Sequence, residues 1–254
     1  MKELKEISMA STTLHHPTVT EKTDSQWRSL CKLGGIAALL QLVCVLTSTV
    51  IAILVGTEPA NAEEYFSILQ QNRLAGLLRL DFATLILICL YPLTSFGMYA
   101  ALRNSNKAYS SLAMAHIFVG TTLALAPHSA FSMIRLSDQF AAASSVVQQE
   151  QLLAAGEAVI SSDMWHSTSG FLAGIFMQGG FVILSVVMLG SKKFSKATGI
   201  TGILSNGFDL VHVFVALFNP SLAVILLYIS GPFYLLWFPL LARDLYKLGR
   251  RADG

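Results

Sequence analysis

Six stretches of this chain, Leu33 to Val55, Leu77 to Leu102, Ala108 to Met133, Thr168 to Leu189, Thr198 to Phe218 and Leu222 to Leu241, are apolar with little or no charge. Each reaches the length of about 20 helical residues that crosses a hydrocarbon core about 30 Å thick at 1.5 Å per residue. Inside such a core no water satisfies the backbone, so each crossing segment must be a helix that bonds its own amides. The reading is an all-α, six-transmembrane-helix bundle. Pro92, Pro127, Pro232 and Pro239 fall within these runs and predict kinks, because each removes a backbone donor.

Composition excludes the main alternatives. With 54% hydrophobic and 13% charged residues and a mean hydropathy of +0.59, the chain is too apolar for a soluble globular domain. The net charge is only +2, and its basic residues sit at segment ends instead of forming a stripe with aromatics, so no nucleic-acid partner is expected. Of the three cysteines, Cys44 and Cys89 lie inside apolar runs and Cys31 at the start of one, without CxxC or Cys/His spacing. They read as small buried hydrophobes.

Residues 1–28 read as a disordered cytoplasmic tail, residues 29–247 as the membrane domain and residues 248–254 as a basic C-terminal tail. The first 26 residues have no apolar core of the kind a secretory signal needs. Within that tail His15 and His16 read as solvated. Fourteen of the seventeen Lys and Arg residues fall on one side of the alternating spans: in the N-terminal tail, in the second connection (Arg103, Lys107), in the fourth (Lys192, Lys193, Lys196) and in the C-terminal tail. Positive residues stay cytoplasmic, so both termini are expected there. Arg73, Arg79 and Arg135 fall on the other side, with Glu63, Glu64, Asp138, Glu157 and Asp163.

Two long connections lie on that outer side. Residues 61–76 open with an Asn that can cap a helix whose first turn carries Glu63 and Glu64. Residues 137–163 are rich in Ala, Gln and Leu. Both read as amphipathic helices on the outer surface that could roof the mouth of the bundle, with plain solvated connectors as the equal alternative.

Polar residues inside the spans are the candidates for function, because the bilayer penalises them unless they find partners. On the fifth span Gly199, Gly202, Ser205, Asn206, Asp209, His212 and Ala216 share one side at 100° per residue. A small and polar stripe faces other helices or water, not lipid. On the fourth span His166, Gly170, Gly174 and Gln178 form a comparable face. The candidate binding residues are therefore His116, Gln178, Asn206, Asp209 and His212, with Asp81, His128 and His166 in a second tier near the outer interface. Gln41 lies slightly inward on the first span.

Three readings of this interior stand side by side. Asp209 and His212, three residues apart, could hold a proton, a small polar ligand or a lipid headgroup. Asp and His from several spans could hold a metal such as Zn and support intramembrane chemistry, although no HExxH, HxxxH or GxSxG motif is present. Or the pair could only fasten helices in an accessory or anchoring protein. Cofactors and oligomeric state are not specified by the sequence.

The segments "NRLAGLLRLDF", "LLAAGEAVISS" followed by "WHSTSGFLAGIF", "VMLGSKKFSKATGITGILSN" and "LLWFPLLARDLYKLGR" resemble a bacterial family of six-span integral membrane proteins catalogued only as a domain of unknown function. The resemblance covers roughly residues 30 to 250. It implies six helices in a bacterial cytoplasmic membrane and supplies no activity or catalytic residues.

Overall fold

A computed structural model describes residues 19–54, 56, 59–79 and 82–250, with side chains from residue 26 onward. Ten helices form among the described residues: α1 (Val19–Leu54), α2 (Ala62–Gln71), α3 (Arg73–Arg79), α4 (Phe82–Leu102), α5 (Lys107–Leu125), α6 (Ala130–Ala141), α7 (Val146–Ser161), α8 (Thr168–Gly190), α9 (Lys196–Ala216) and α10 (Pro220–Arg250). No strand is present among them. Six helical segments are long and apolar enough to cross a membrane, as expected for a multi-pass membrane protein.

The helical boundaries depart from the sequence reading at three places. Helix α1 begins at Val19 and α10 runs to Arg250, so helix extends into both segments read as tails. The third apolar run does not continue to Met133: α5 stops at Leu125, and α6 restarts at Ala130 after a turn. Pro127 accounts for the break through its missing amide, which leaves the Leu123 carbonyl without its helical donor, while Ala126 before it keeps helical angles (φ −61°, ψ −45°). Pro92, Pro232 and Pro239 lie inside continuous helices.

The six long helices pack as a ring in chain order. Helix α1 packs on α4, α4 on α5, α5 on α8, α8 on α9, α9 on α10, and α10 closes back on α1. Glycines set the closest approaches. A Cβ on Gly34 would lie 2.7 Å from the Gly97 Cα, and one on Gly120 would lie 2.6 Å from the Met177 nitrogen, so α1 meets α4 and α5 meets α8 nearly backbone to backbone. Across the ring an aromatic chain fills the middle: Tyr91 on Phe181 (5.0 Å between ring centroids), Phe181 on Trp237 (5.6 Å) and Trp237 on Phe238 (5.3 Å). Gln41, fully buried, accepts from the Thr94 hydroxyl at 2.7 Å and ties α1 to α4.

The two ends of the ring are built differently. At the basic end, Arg103 lies 4.0 Å over the Trp27 ring, Lys193 donates to the Ala101 carbonyl at 2.8 Å, and Asp244 accepts from the Ser195 amide (2.9 Å) and the Thr198 hydroxyl (2.6 Å). These contacts draw four helix termini and the α8–α9 turn together. At the other end α2, α6 and α7 form a small bundle around a second core of Ala62, Tyr65, Phe66, Leu69, Ala130 and Met133. Asn61 caps α2 as expected, its side chain accepting from the Glu64 amide at 2.9 Å. Glu157 of α7 accepts from the Ala62 amide at 2.7 Å, and Arg73 pairs with Asp138 on the surface.

Candidate ligand cavity

A cavity of about 500 Å³ opens between the helices at the end opposite the basic one. Its wall is mostly apolar, with side chains from α1, α4, α5, α8, α9 and α10, and its polar groups are concentrated at the floor and the rim. Gln178, Asp209, His212, Tyr91 and Tyr234 lie at the floor; His166 and Ser167, from the turn leading into α8, lie at the rim. No residue of α2, α6 or α7 lines it.

Asp209 sits seven residues before the end of α9, about 10 Å from that end at 1.5 Å per residue. Its two oxygens have different surroundings. Oδ2 accepts from Gln178 Nε2 of α8 at 2.7 Å and from the Tyr234 hydroxyl of α10 at 2.9 Å. Oδ1 has no hydrogen bond among the described residues; its neighbour is His212 Nδ1, 3.6 Å away. That separation is an ion-pair distance but too long for a hydrogen bond. The Nδ1 atom is itself buried without a partner, while the His212 side chain keeps 24% of its surface exposed, so the rest of the ring accounts for that exposure.

Behind the floor, Asn206 is fully buried and donates to the Gly202 carbonyl at 2.8 Å, while its own carbonyl lies 3.3 Å from the Tyr234 hydroxyl. Tyr234 also lies 3.1 Å from Gln178 Oε1. A single phenolic proton thus faces three acceptors, with Asp209 the nearest. Tyr91 lines the same floor from α4, with no hydrogen-bond partner for its hydroxyl among the described residues.

The structure brings together four of the residues singled out by sequence. Gln178, Asp209 and His212 line the floor, and Asn206 supports it. His166 lines the rim and holds Asp163, Nδ1 to Oδ1 at 2.9 Å. His116 is not part of the cavity: it bonds the Leu112 carbonyl of its own helix at 2.9 Å and packs on Phe176, 5.4 Å between rings. His128 lies in the turn after α5, where its Nδ1 accepts from the Ala130 amide at the start of α6. Asp81 lies outside the described residues.

Tyr91, Tyr234 and Asp163 were not singled out from sequence. A tyrosine in mid-span carries a hydroxyl that tends to seek a partner, and that signal was available at both positions, although only Tyr234 finds one among the described residues. Asp163 had another: "DMWH" repeats the Asp-x-x-His spacing of "DLVH". It is buried, and it accepts from the Trp165 (2.8 Å) and His166 (3.1 Å) amides as well as from the His166 ring, which fixes the turn that forms the rim.

Among the described residues no group of three or more His, Cys, Asp and Glu side chains is placed to hold a metal ion. The two Asp-x-x-His pairs remain separate, one at the rim and one at the floor. Comparison of the chain with protein-family models, with curated proteins and with solved structures gives no match.

Proposed function

We propose that this chain is a multi-pass protein of the cytoplasmic membrane, with both termini on the cytoplasmic side, and that its outward-opening cavity binds one small amphiphilic molecule. The observation that carries the binding reading is the cavity itself: an apolar wall ending at a floor where an uncommitted carboxylate oxygen and an imidazole ring meet. Pockets for small molecules have this form, a largely apolar lining with a few convergent polar groups. The apolar body of a ligand would lie along the wall, and its polar head would reach Asp209 and His212.

The orientation rests on the basic end, where Arg103, Lys107, Lys192, Lys193 and Lys196 gather. A bacterial origin and the named membrane rest on the resemblance of the quoted segments. The fastening role is retained within the same cluster. Gln178, Tyr234 and Asn206, together with Asp209 Oδ2, hold α8, α9 and α10 to one another; Asp209 Oδ1 and His212 remain for a ligand.

The test compares wild type with Ala216→Phe, a substitution at an exposed residue on the cavity lining that obstructs the opening without entering packed core. Both proteins are purified in mild detergent, and their extracts are compared by mass spectrometry. The expected result is a small amphiphile retained in near-equimolar amount by wild type and depleted from the variant. Indistinguishable extracts would refute the reading.

A further inference from the structure

If the cavity is a binding site, as proposed above, the charge of its lining selects the class of ligand. Among the described residues that line the cavity, Asp209 alone has a formal charge when the histidines are neutral, and no Lys or Arg contributes. An anionic head, such as a phosphate or carboxylate, would face that carboxylate across an apolar space with little solvent to screen the repulsion. A neutral head could hydrogen-bond to it but would leave the charge unpaired.

The acceptor geometry narrows the choice further. Asp209 Oδ2 already takes two donors, whereas Oδ1 has none within hydrogen-bond distance. The His212 Nδ1 stops short of it at 3.6 Å. The rest of the lining is mostly apolar, with Phe171 and Phe238 among the wall residues. A carboxylate with an open lone pair, in a mostly apolar lining, is complementary to an ammonium group.

We propose that the ligand is a monocationic amphiphile, a primary or secondary ammonium carried on an apolar body, whose N–H donates to Asp209 Oδ1. The body extends along the wall toward Trp165 at the rim.

The probes are octylamine, octanol and octanoate, each brominated at the terminal carbon, and the readout is quenching of tryptophan fluorescence in detergent-solubilised protein. With the head at Asp209 the bromine approaches Trp165; Trp27 and Trp237 do not line the cavity. The component of quenching lost in Ala216→Phe reports the cavity. The amine is expected to bind more tightly than the alcohol by roughly tenfold to a hundredfold, the range for a hydrogen bond to a charged group, and the carboxylate more weakly than both. In Asp209→Asn the advantage of the amine over the alcohol should vanish. If amine and alcohol bind wild type equally while Ala216→Phe still weakens both, the ammonium assignment falls and the binding site stands. If no probe quenches in a manner that Ala216→Phe abolishes, the binding reading itself falls.

Discussion

Replacing Tyr234 with Phe removes one oxygen and leaves the ring, so its stacking on Phe238 at 5.7 Å is preserved and no void opens. What is lost is the donor to Asp209 Oδ2 at 2.9 Å, and with it the one proton that Gln178 Oε1 and Asn206 Oδ1 also face. In a soluble core, leaving a buried acceptor without its donor costs about 1–3 kcal/mol. Between membrane helices, coupling energies average about 0.6 kcal/mol and reach about 1.7 kcal/mol, because the unfolded chain in the membrane also finds partners. The acceptor here is a carboxylate that keeps its Gln178 donor, which places the expected loss near 1 kcal/mol. Reversible unfolding of purified protein in mixed micelles of mild detergent and dodecyl sulfate measures it. A cycle with Asp209→Ala, which removes the acceptor, then isolates the pair: the coupling between Tyr234 and Asp209 should fall between about 0.6 and 1.7 kcal/mol. Additivity within about 0.3 kcal/mol would refute the assignment of Tyr234 to Asp209.

Two further predictions test the frame around the cavity. Ala at Gly120 and Ala at Gly179 gain the same intrinsic helix propensity, about 1 kcal/mol, but the first places a Cβ 2.6 Å from the Met177 nitrogen and the second meets nothing within 4 Å. Gly120→Ala should therefore melt below wild type by thermal unfolding in detergent, by about 1–3 kcal/mol of overpacking less the propensity gain, while Gly179→Ala should be neutral or stabilising; equal effects would contradict the close α5–α8 packing. Asp163→Ala strips the acceptor from two backbone amides and the His166 ring, and should cost about 2 kcal/mol and raise hydrogen exchange at Trp165 and His166, whereas Asp163→Asn should retain most of the turn.

The six long helices were legible because the bilayer allows one answer to an apolar run of that length. The Asn61 cap was legible for a similar reason, since an Asn followed by two acidic residues offers acceptor and charge where a helix start needs both. The break at Pro127 was not. Pro92, Pro232 and Pro239 are tolerated inside helices, and sequence alone does not say at which proline the chain turns.

The site divides the same way. The stripe on α9 is a local property of one helix, so the interior placement of Asn206, Asp209 and His212 could be read from 100° periodicity. Partner choice is a property of several helices at once. That Tyr234 reaches Asp209, or that His116 turns to Phe176 and its own backbone, depends on the rotation of α10 and α5 about their axes, which the glycine contacts of the ring set and no single span encodes.

The central claim is that the cavity reaches the Asp209 floor from the outer face. Val213 lies on the cavity wall one residue beyond His212, against Gly174. In a chain whose three cysteines are replaced by Ala, Val213→Cys should react with a small, cationic, membrane-impermeant thiosulfonate added outside intact cells, and Ala216→Phe should suppress that reaction. Labelling that appears only after the membrane is permeabilised, or that Ala216→Phe leaves unchanged, would contradict it.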